Sequence, residues 1–366
     1  MKNIIRKDIL NIEAYQPGKP IEEVKRELGI KDVIKLASNE NALGPSPKAL
    51  RAIAKITQSL HRYPQGDCFY LKQALARYLK ISSAHLMFGN GSDELIDVIL
   101  KTIHAPNAQI ITADCTFVEY KISAAINRFK VKTVPLIDFK FDLDGIKKAV
   151  TKNTKAIFIA NPNNPTGTYV NKNEIIAFIK SIPKNILIVF DEAYFEYVQT
   201  KDFPDLIPII KKHNNIVILR TFSKIFGLAG LRVGYMICSK GFIKAAERVR
   251  QPFNVNTLAQ IAAQEALGDL AFLRKTQKLV NIEKRFLYAE FKKLNLWFQP
   301  SETNFIFIKM NCDVSHIFHK MLKKGVIIRP MSSCKLHHYC RITIGTHEEN
   351  KKLIRILKSV LQETNK

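Results

Sequence analysis

Between about residues 85 and 240, short apolar runs rich in Ile and Val alternate with longer amphipathic stretches. The runs are Leu86–Phe88, Ile110–Thr112, Val131–Leu136, Ala156–Ala160, Ile186–Phe190, Ile216–Leu219 and Val233–Ile237. Several lack polar alternation, which suits strands buried on both faces of a helix-covered parallel sheet. The intervening stretches, such as Ser92–Thr102 and Asn173–Ser181, have helical periodicity with Ser or Asn near the start. The pattern predicts an α/β fold: a mostly parallel seven-stranded sheet flanked by helices. Beyond Gly268–Asp269 the character changes. A long helix from about Thr276 to Leu294, a strand at 304–309 and a helix at 314–322 come first. Strands at 326–328 and 340–344 and a helix at 348–361 complete a smaller α+β domain. Residues 1–37 are too short to fold alone and are expected to dock on it. The organisation expected is therefore a docking segment (1–37), a large domain (38–270) and a small C-terminal domain (271–366).

The net charge is +25, which raises nucleic acid or an anionic ligand as a partner. The basic residues are scattered, however, and their densest clusters, around 147–148 and 323–324, are short. A solvated basic surface is the plainer reading, and no nucleic-acid-binding motif is present. The six cysteines, at 68, 115, 238, 312, 334 and 340, have no regular spacing. That argues against a disulfide framework or a zinc site and for reduced thiols. The longest apolar runs fall far short of the roughly 20 residues of a bilayer span. Residues 1–20 lack the apolar core of a signal peptide. These features predict a cytoplasmic protein with no membrane segment.

Four motifs carry chemistry, and each follows an apolar run. The first is Arg220-Thr-Phe-Ser223-Lys224-Ile-Phe-Gly227-Leu-Ala-Gly230-Leu-Arg232. A lysine held past a strand's carboxyl end lies where open α/β sheets bind ligands, and it is placed to form a Schiff base. Arg232 is suited to fork onto a phosphate. The second, Phe190-Asp191-Glu192-Ala193-Tyr194, ends a strand in a carboxylate that can hold a protonated pyridine nitrogen. The third, Asn161-Pro-Asn-Asn164-Pro165-Thr-Gly167, fixes the backbone around an amide and offers two Asn-Pro bonds as cis candidates. The fourth, Gly89-Asn-Gly91-Ser92-Asp93, opens a helix whose N-terminus can cradle phosphate. Taken singly, each has a bland alternative in an ordinary turn or surface charge. Together they point to one ligand, a phosphorylated planar pyridine aldehyde.

In this order the motifs resemble those of the fold type I pyridoxal-phosphate enzymes, over nearly the whole chain. Further stretches narrow the likeness: Tyr15-Gln-Pro-Gly-Lys-Pro20, Ser38-Asn39-Glu40-Asn, Arg62-Tyr63-Pro64, Gly325-Val-Ile-Ile-Arg329 and Cys340-Arg341-Ile-Thr-Ile-Gly345. These resemble the histidinol-phosphate aminotransferase family. The resemblance implies pyridoxal 5′-phosphate as cofactor, with glutamate and imidazole-acetol phosphate converted to 2-oxoglutarate and histidinol phosphate. It implies that Lys224 is the Schiff-base lysine, that Asp191 pairs with the pyridinium nitrogen, and that Tyr194 and Asn164 bond the ring oxygen. Phe117 would stack on the ring. Ser92, Asp93, Ser223 and Arg232 would hold the phosphate, joined by Tyr63 from a second subunit of a homodimer. Arg341 would take the α-carboxylate, Arg329 the substrate phosphate, and Tyr15 and Asn39 would lie beside them.

The chain departs from the family's usual pattern at three places. Cys115 stands where Pro is usual, Phe117 where Tyr is usual, and Ala42-Leu43 where Pro commonly follows Asn-Glu-Asn. Two relatives of the same subfamily remain open on sequence, an aromatic amino-acid transaminase and a threonine-phosphate decarboxylase. A nucleic-acid-binding protein is the remote alternative from another class.

Overall fold

The structure is a computed structural model and describes residues 4–364. Its strands in chain order are β1 (Ile34–Lys35), β2 (Leu86–Gly89), β3 (Gln109–Ala113), β4 (Lys130–Val134), β5 (Thr154–Ala160), β6 (Leu187–Asp191) and β7 (Ile216–Thr221). They continue as β8 (Gly234–Cys238), β9 (Phe298–Gln299), β10 (Phe305–Lys309), β11 (Val326–Ile327), β12 (Arg329–Met331) and β13 (Leu336–Thr343). All seven apolar runs between 85 and 240 become strands of one sheet, in the order β2-β8-β7-β6-β5-β3-β4. The central strands β6, β7 and β8 are buried at every position, as a helix-covered sheet requires.

Two strands differ from their neighbours for physical reasons. Within this sheet, β8 alone runs antiparallel to both strands it touches. The connection at 222–233 contains only a short 3-10 turn, whereas a parallel return needs a crossover, usually a helix. β4 closes one edge, and its lysines, Lys130 and Lys132, face outward, which discourages pairing with another chain.

Helices cover the sheet and carry their own stop and start signals. Asn171 and Glu174 form a reciprocal capping box on helix Lys172–Ser181. The helix expected from Thr276 begins earlier, at Leu270, because Asp269 caps it by accepting from the Phe272 amide. The final helix runs from His347 to Thr364. A second sheet, β12-β13-β10-β9, is antiparallel throughout.

The N-terminal segment joins both bodies. β1 pairs in parallel with β11, and Val24 and Ala37 pack on Leu322 and Ile327. Nearer its start, the Arg6 guanidinium donates to the Ile126 carbonyl of the large domain.

Chain order in the sheet reverses between β3 and β5: β4 lies outside β3, and β5 returns on its inner side. Such a switch opens a crevice at the carboxyl ends of the strands. The motifs after β2, β5, β6 and β7 all emerge at that end. It is braced by a buried ion pair, Arg220 to Glu192 Oε2 at 2.7 Å, with the guanidinium 3.5 Å above the Phe195 ring. Glu192 is 0 % and Arg220 2 % exposed, and the carboxylate holds the guanidinium in its charged form. Removing one partner of such a pair strands a buried charge. Glu192→Ala is expected to lower unfolding stability by about 3–5 kcal/mol in urea titration. Ala at exposed Glu348, which pairs only locally with Lys351, is expected to change it by less than about 1 kcal/mol.

Candidate active site

Fifteen residues line a cavity of about 190 Å³ at the crevice, and most of the sequence-predicted residues are among them. Lys224, Asp191, Tyr194, Asn164, Phe117, Ser92, Asp93, Ser223, Arg232 and Tyr15 meet there. Larger surface clefts exist, such as one of about 680 Å³ beside Asp142 and Glu174, but none of the four motifs opens into it.

Asp191 ends β6 and is 5 % exposed. Burial pushes its carboxyl up to about 6. Two donors act in the opposite sense: the Tyr120 hydroxyl at 2.6 Å and the Ala193 amide at 3.1 Å. Tyr120 is fully buried, and sequence reasoning assigned it no role. A signal existed. It lies three residues after Phe117, the spacing at which neighbours on one helical face meet, and the two rings pack edge to face at 5.6 Å.

The hydroxyl of Tyr194 accepts from Asn39 Nδ2 at 2.8 Å, which leaves its own proton for the cavity. Asn39 has φ +56, and the Thr343 hydroxyl holds it by accepting from its amide and donating to its side-chain oxygen. Asn164 gives its side-chain oxygen to Arg341 Nη1, so its amide protons stay available. Lys224 reaches the Ser38 carbonyl at 3.4 Å, and its Nζ lies 5.7 Å from the Tyr194 ring centre. Both Asn-Pro bonds, Asn161-Pro162 and Asn164-Pro165, are cis.

The turn into helix Gly91–Ile103 makes the anion cradle. Gly91 has φ +83, and a Cβ there would lie 2.4 Å from Arg232 Nη2. Gly234 of β8 backs the same turn, where a Cβ would lie 2.6 Å from the Ser92 amide nitrogen. Arg232 donates to Asp93 Oδ2 at 2.9 Å and to the Ser223 hydroxyl at 3.4 Å. The Asp93 side chain thus positions the guanidinium.

Arg341 and Arg329 lie outside the cavity lining and directly opposite each other on β13 and β12. Opposed residues of antiparallel strands share a face, and like charges so placed repel. Their hydrogen-bond acceptors are neutral: Asn164 Oδ1 and the Ala37 carbonyl for Arg341, the Gln16 carbonyl for Arg329. Arg341 Nε is buried without a partner. Burial pulls the Arg341 guanidinium down from its ordinary range, and Arg329 acts in the same direction.

Tyr63 does not join the cavity of its own chain. It is 84 % exposed and stacks on Phe253 at 4.9 Å, beside a cleft lined by Leu60, His61, Arg62 and Pro252.

A lysine, a buried carboxylate, two side chains with free donors and a helix N-terminus beside an arginine surround one cavity at a sheet's switch point. The family described as "Aminotransferase class I and II" matches residues 31–357, and the chain belongs to it. A histidinol-phosphate aminotransferase of Moorella thermoacetica is 44% identical over 97% of this chain and 92% of its own length. One from Geobacillus thermodenitrificans is 41% identical over 98% of both. The solved histidinol-phosphate aminotransferase of Sinorhizobium meliloti, in complex with pyridoxal-5′-phosphate, superposes with a TM-score of 0.90 at 28% identity, covering 98% of each chain. Within the larger class, the chain belongs to the histidinol-phosphate aminotransferase family. Among the described residues, no helix is long and apolar enough to cross a membrane.

Gly91→Ala tests the cradle. It is expected to weaken phosphate-ester binding in the cavity at least tenfold, on the order of 1.4 kcal/mol, while the far-ultraviolet circular dichroism stays unchanged. Equilibrium dialysis against pyridoxal phosphate reads the effect.

Proposed function

We propose that the chain is a pyridoxal-phosphate-dependent aminotransferase that moves the amino group of glutamate onto imidazole-acetol phosphate. The products are 2-oxoglutarate and histidinol phosphate, and the working form is a cytoplasmic homodimer. One observation carries the choice of substrate. Two guanidinium groups face the same side of a sheet with only neutral partners, next to a cavity that already holds its own anion cradle. A fork-shaped cation pair of this kind demands anions. Glutamate offers a carboxylate to Arg341, and a phosphate ester offers its phosphate to Arg329.

The residues present fit the cofactor. Ser92, Ser223 and Arg232 supply donors for its phosphate, and Gly91 leaves the room that a Cβ would fill. Tyr194 and Asn164 keep protons free for the ring oxygen. Asp191, buried and ringed by donors, suits the pyridinium nitrogen, and Phe117 offers a ring face. When bound, pyridoxal phosphate supplies a protonated ring that takes up the electron pair of the substrate's Cα–H bond.

The chain's own residues do the rest. Lys224 Nζ would hold the cofactor, and its amine would take the substrate's Cα proton and later return it. Asp191 keeps the ring nitrogen protonated. Arg341 orients the glutamate carboxylate, and Tyr15 and Asn39 close the site around the second substrate. Tyr63 reaches from its exposed cleft into the cavity of the second copy. Segment 1–37 and domain 271–366 together form the small body that brings the substrate cations to the large domain, 38–270.

Two outcomes test this reading. Lys224→Ala is expected to stay colourless after incubation with the cofactor and to yield no borohydride-fixed adduct; an adduct in that variant would exclude the assignment. Rates with 2-oxoglutarate are expected to favour histidinol phosphate over phenylalanine. Equal rates would point to an aromatic transaminase, and carbon dioxide release from threonine phosphate to a decarboxylase.

Asp191 adds a pH dependence. Its carboxyl takes up a proton near pH 6 in the ligand-free fold, whereas an exposed Asp does so near about 4. A cationic ring favours the ionised form, so binding must expel that proton when the pH is below about 6. Affinity for the cofactor is expected to fall as pH drops through 6, beyond any change seen in Asp191→Asn. Parallel curves for the two proteins would remove the carboxylate from this role.

A further inference from the structure

One lysine is sealed inside the protein, away from the cavity. Lys284 sits in the middle of helix Leu270–Lys293 and is 8 % exposed. Lysine is almost never fully buried unless it is paired. Here the hydrogen-bond acceptor is neutral, the Ser301 carbonyl at 2.6 Å. Burial pulls the amine down to about 8, and the Glu302 carboxylate acts in the opposite sense. Burying an ammonium costs stability that an apolar side chain of similar length would not. The lysine therefore calls for a reason other than packing.

The reason lies in what it grips. Tyr288 stands one helical turn further on, on the same face. Its hydroxyl accepts from the Ser301 amide at 2.8 Å, and its ring stacks on Phe298 at 4.4 Å. The two side chains thus clamp Ser301 by both of its backbone polar groups. Ser301 opens the turn 301–304 between β9 and β10, and that turn reaches toward the cavity on two sides. On one side, the Glu302 amide donates to the Gly167 carbonyl at 2.9 Å. Gly167 has φ +76, and a Cβ there would collide with the Ser301 hydroxyl. The Gly167 amide donates to the Asn163 carbonyl at 2.8 Å, which closes the turn that presents Asn164. On the other side, Asn304 Nδ2 donates to the Asn39 carbonyl at 3.0 Å, and Asn39 holds the Tyr194 hydroxyl.

We infer that Lys284 is a positioning residue: through Ser301 it sets Asn164 and Tyr194, the two side chains that donate to the cofactor's ring oxygen. This rests on the cofactor reading above. Lys284 lines no part of the cavity and acts only through the turn. A charge-assisted hydrogen bond is short and strong, so it fixes the orientation of the peptide that accepts it. An apolar side chain fills the same space without that constraint. Without the clamp, turn 301–304 shifts, and both ring donors shift with it.

The test titrates the visible absorbance of the cofactor-loaded enzyme against pH for the parent chain, Lys284→Met and Tyr288→Phe. A ring oxygen with weaker donors is more negative and holds the proton on the neighbouring Lys224 nitrogen more tightly. The midpoint is expected to rise in both variants, in Lys284→Met by about one pH unit, a tenfold change in proton affinity. Turnover of Lys284→Met is expected to fall on the order of tenfold. Far-ultraviolet circular dichroism establishes that each variant is folded. A purely structural lysine would change the urea midpoint and leave the colour midpoint where it is. That outcome in folded Lys284→Met would overturn the inference; if Lys284→Met does not fold, an unmoved midpoint in Tyr288→Phe overturns it. A parent chain that takes up no coloured cofactor would overturn the aminotransferase reading, and this inference with it.

Discussion

A carboxylate forced out of water at the end of the central strand governs the rest of the site. Asp191 ends β6 and Glu192 follows it directly. Both are buried, and a buried carboxylate without compensation is costly. The fold answers the two differently. Glu192, just past the strand, receives a permanent cation, Arg220, itself covered by the Phe195 ring. Asp191, on the cleft face, receives only neutral donors, the Tyr120 hydroxyl and the Ala193 amide. These hydrogen bonds favour the ionised form without cancelling its charge. The cleft is left with a standing demand for a positive group, which a protonated ring nitrogen satisfies.

The same logic, with the sign reversed, applies to the small sheet. Arg329 and Arg341 are cross-strand partners, and among the described residues neither is paired with a carboxylate. Opposing two like charges weakens the sheet, and stability gives no reason for it. It is reasonable only where anions arrive between or beside the two groups. Beside the cavity that holds the Asp191 carboxylate thus stand two guanidiniums bonded to neutral acceptors, a charge pattern that cofactor and substrate complete. The scattered basic surface behind the net charge of +25 has no such geometry. The site explains the arginines and leaves the surface charge as a solvation feature.

Most of this was legible in the sequence where local chemistry was sufficient. The seven Ile/Val-rich runs mark strands buried on both faces, and the residues after them meet at one cavity because strand ends define the crevice. Cleft residues such as Lys224, Asp191 and Asn164 each follow such a run directly. What escaped depended on distant partners. The edge position of β4 is invisible in a run that reads as apolar, because its lysines matter only once nothing lies beyond them. The reversal of β8 follows from a connection without a helix, which the Ser-Lys motif obscured. Tyr120 was passed over because its partner Asp191 is far along the chain. The opposition of Arg329 and Arg341 depends on the register of β12 against β13, which neither motif encodes alone.

The small body reaches the cofactor's neighbourhood through three polar links. Arg341 holds the Asn164 oxygen and the Ala37 carbonyl. Thr343 fixes Asn39, which in turn donates to Tyr194. The contacts of Arg341 with Asn164 and of Asn39 with Tyr194 occupy the acceptor oxygen of each large-domain group and leave its donor side free. Seating the small sheet therefore does more than bring substrate cations near. It orients the Asn164 amide and the Tyr194 hydroxyl as donors, the polarity that an anionic ring oxygen needs. Asn39 accepts a left-handed backbone, φ +56, to make its contact, and asparagine is among the residues that tolerate this conformation best. Relative movement of the two bodies would disturb substrate cations and ring donors together, so the binding of substrate charge and the orientation of the ring are one structural event.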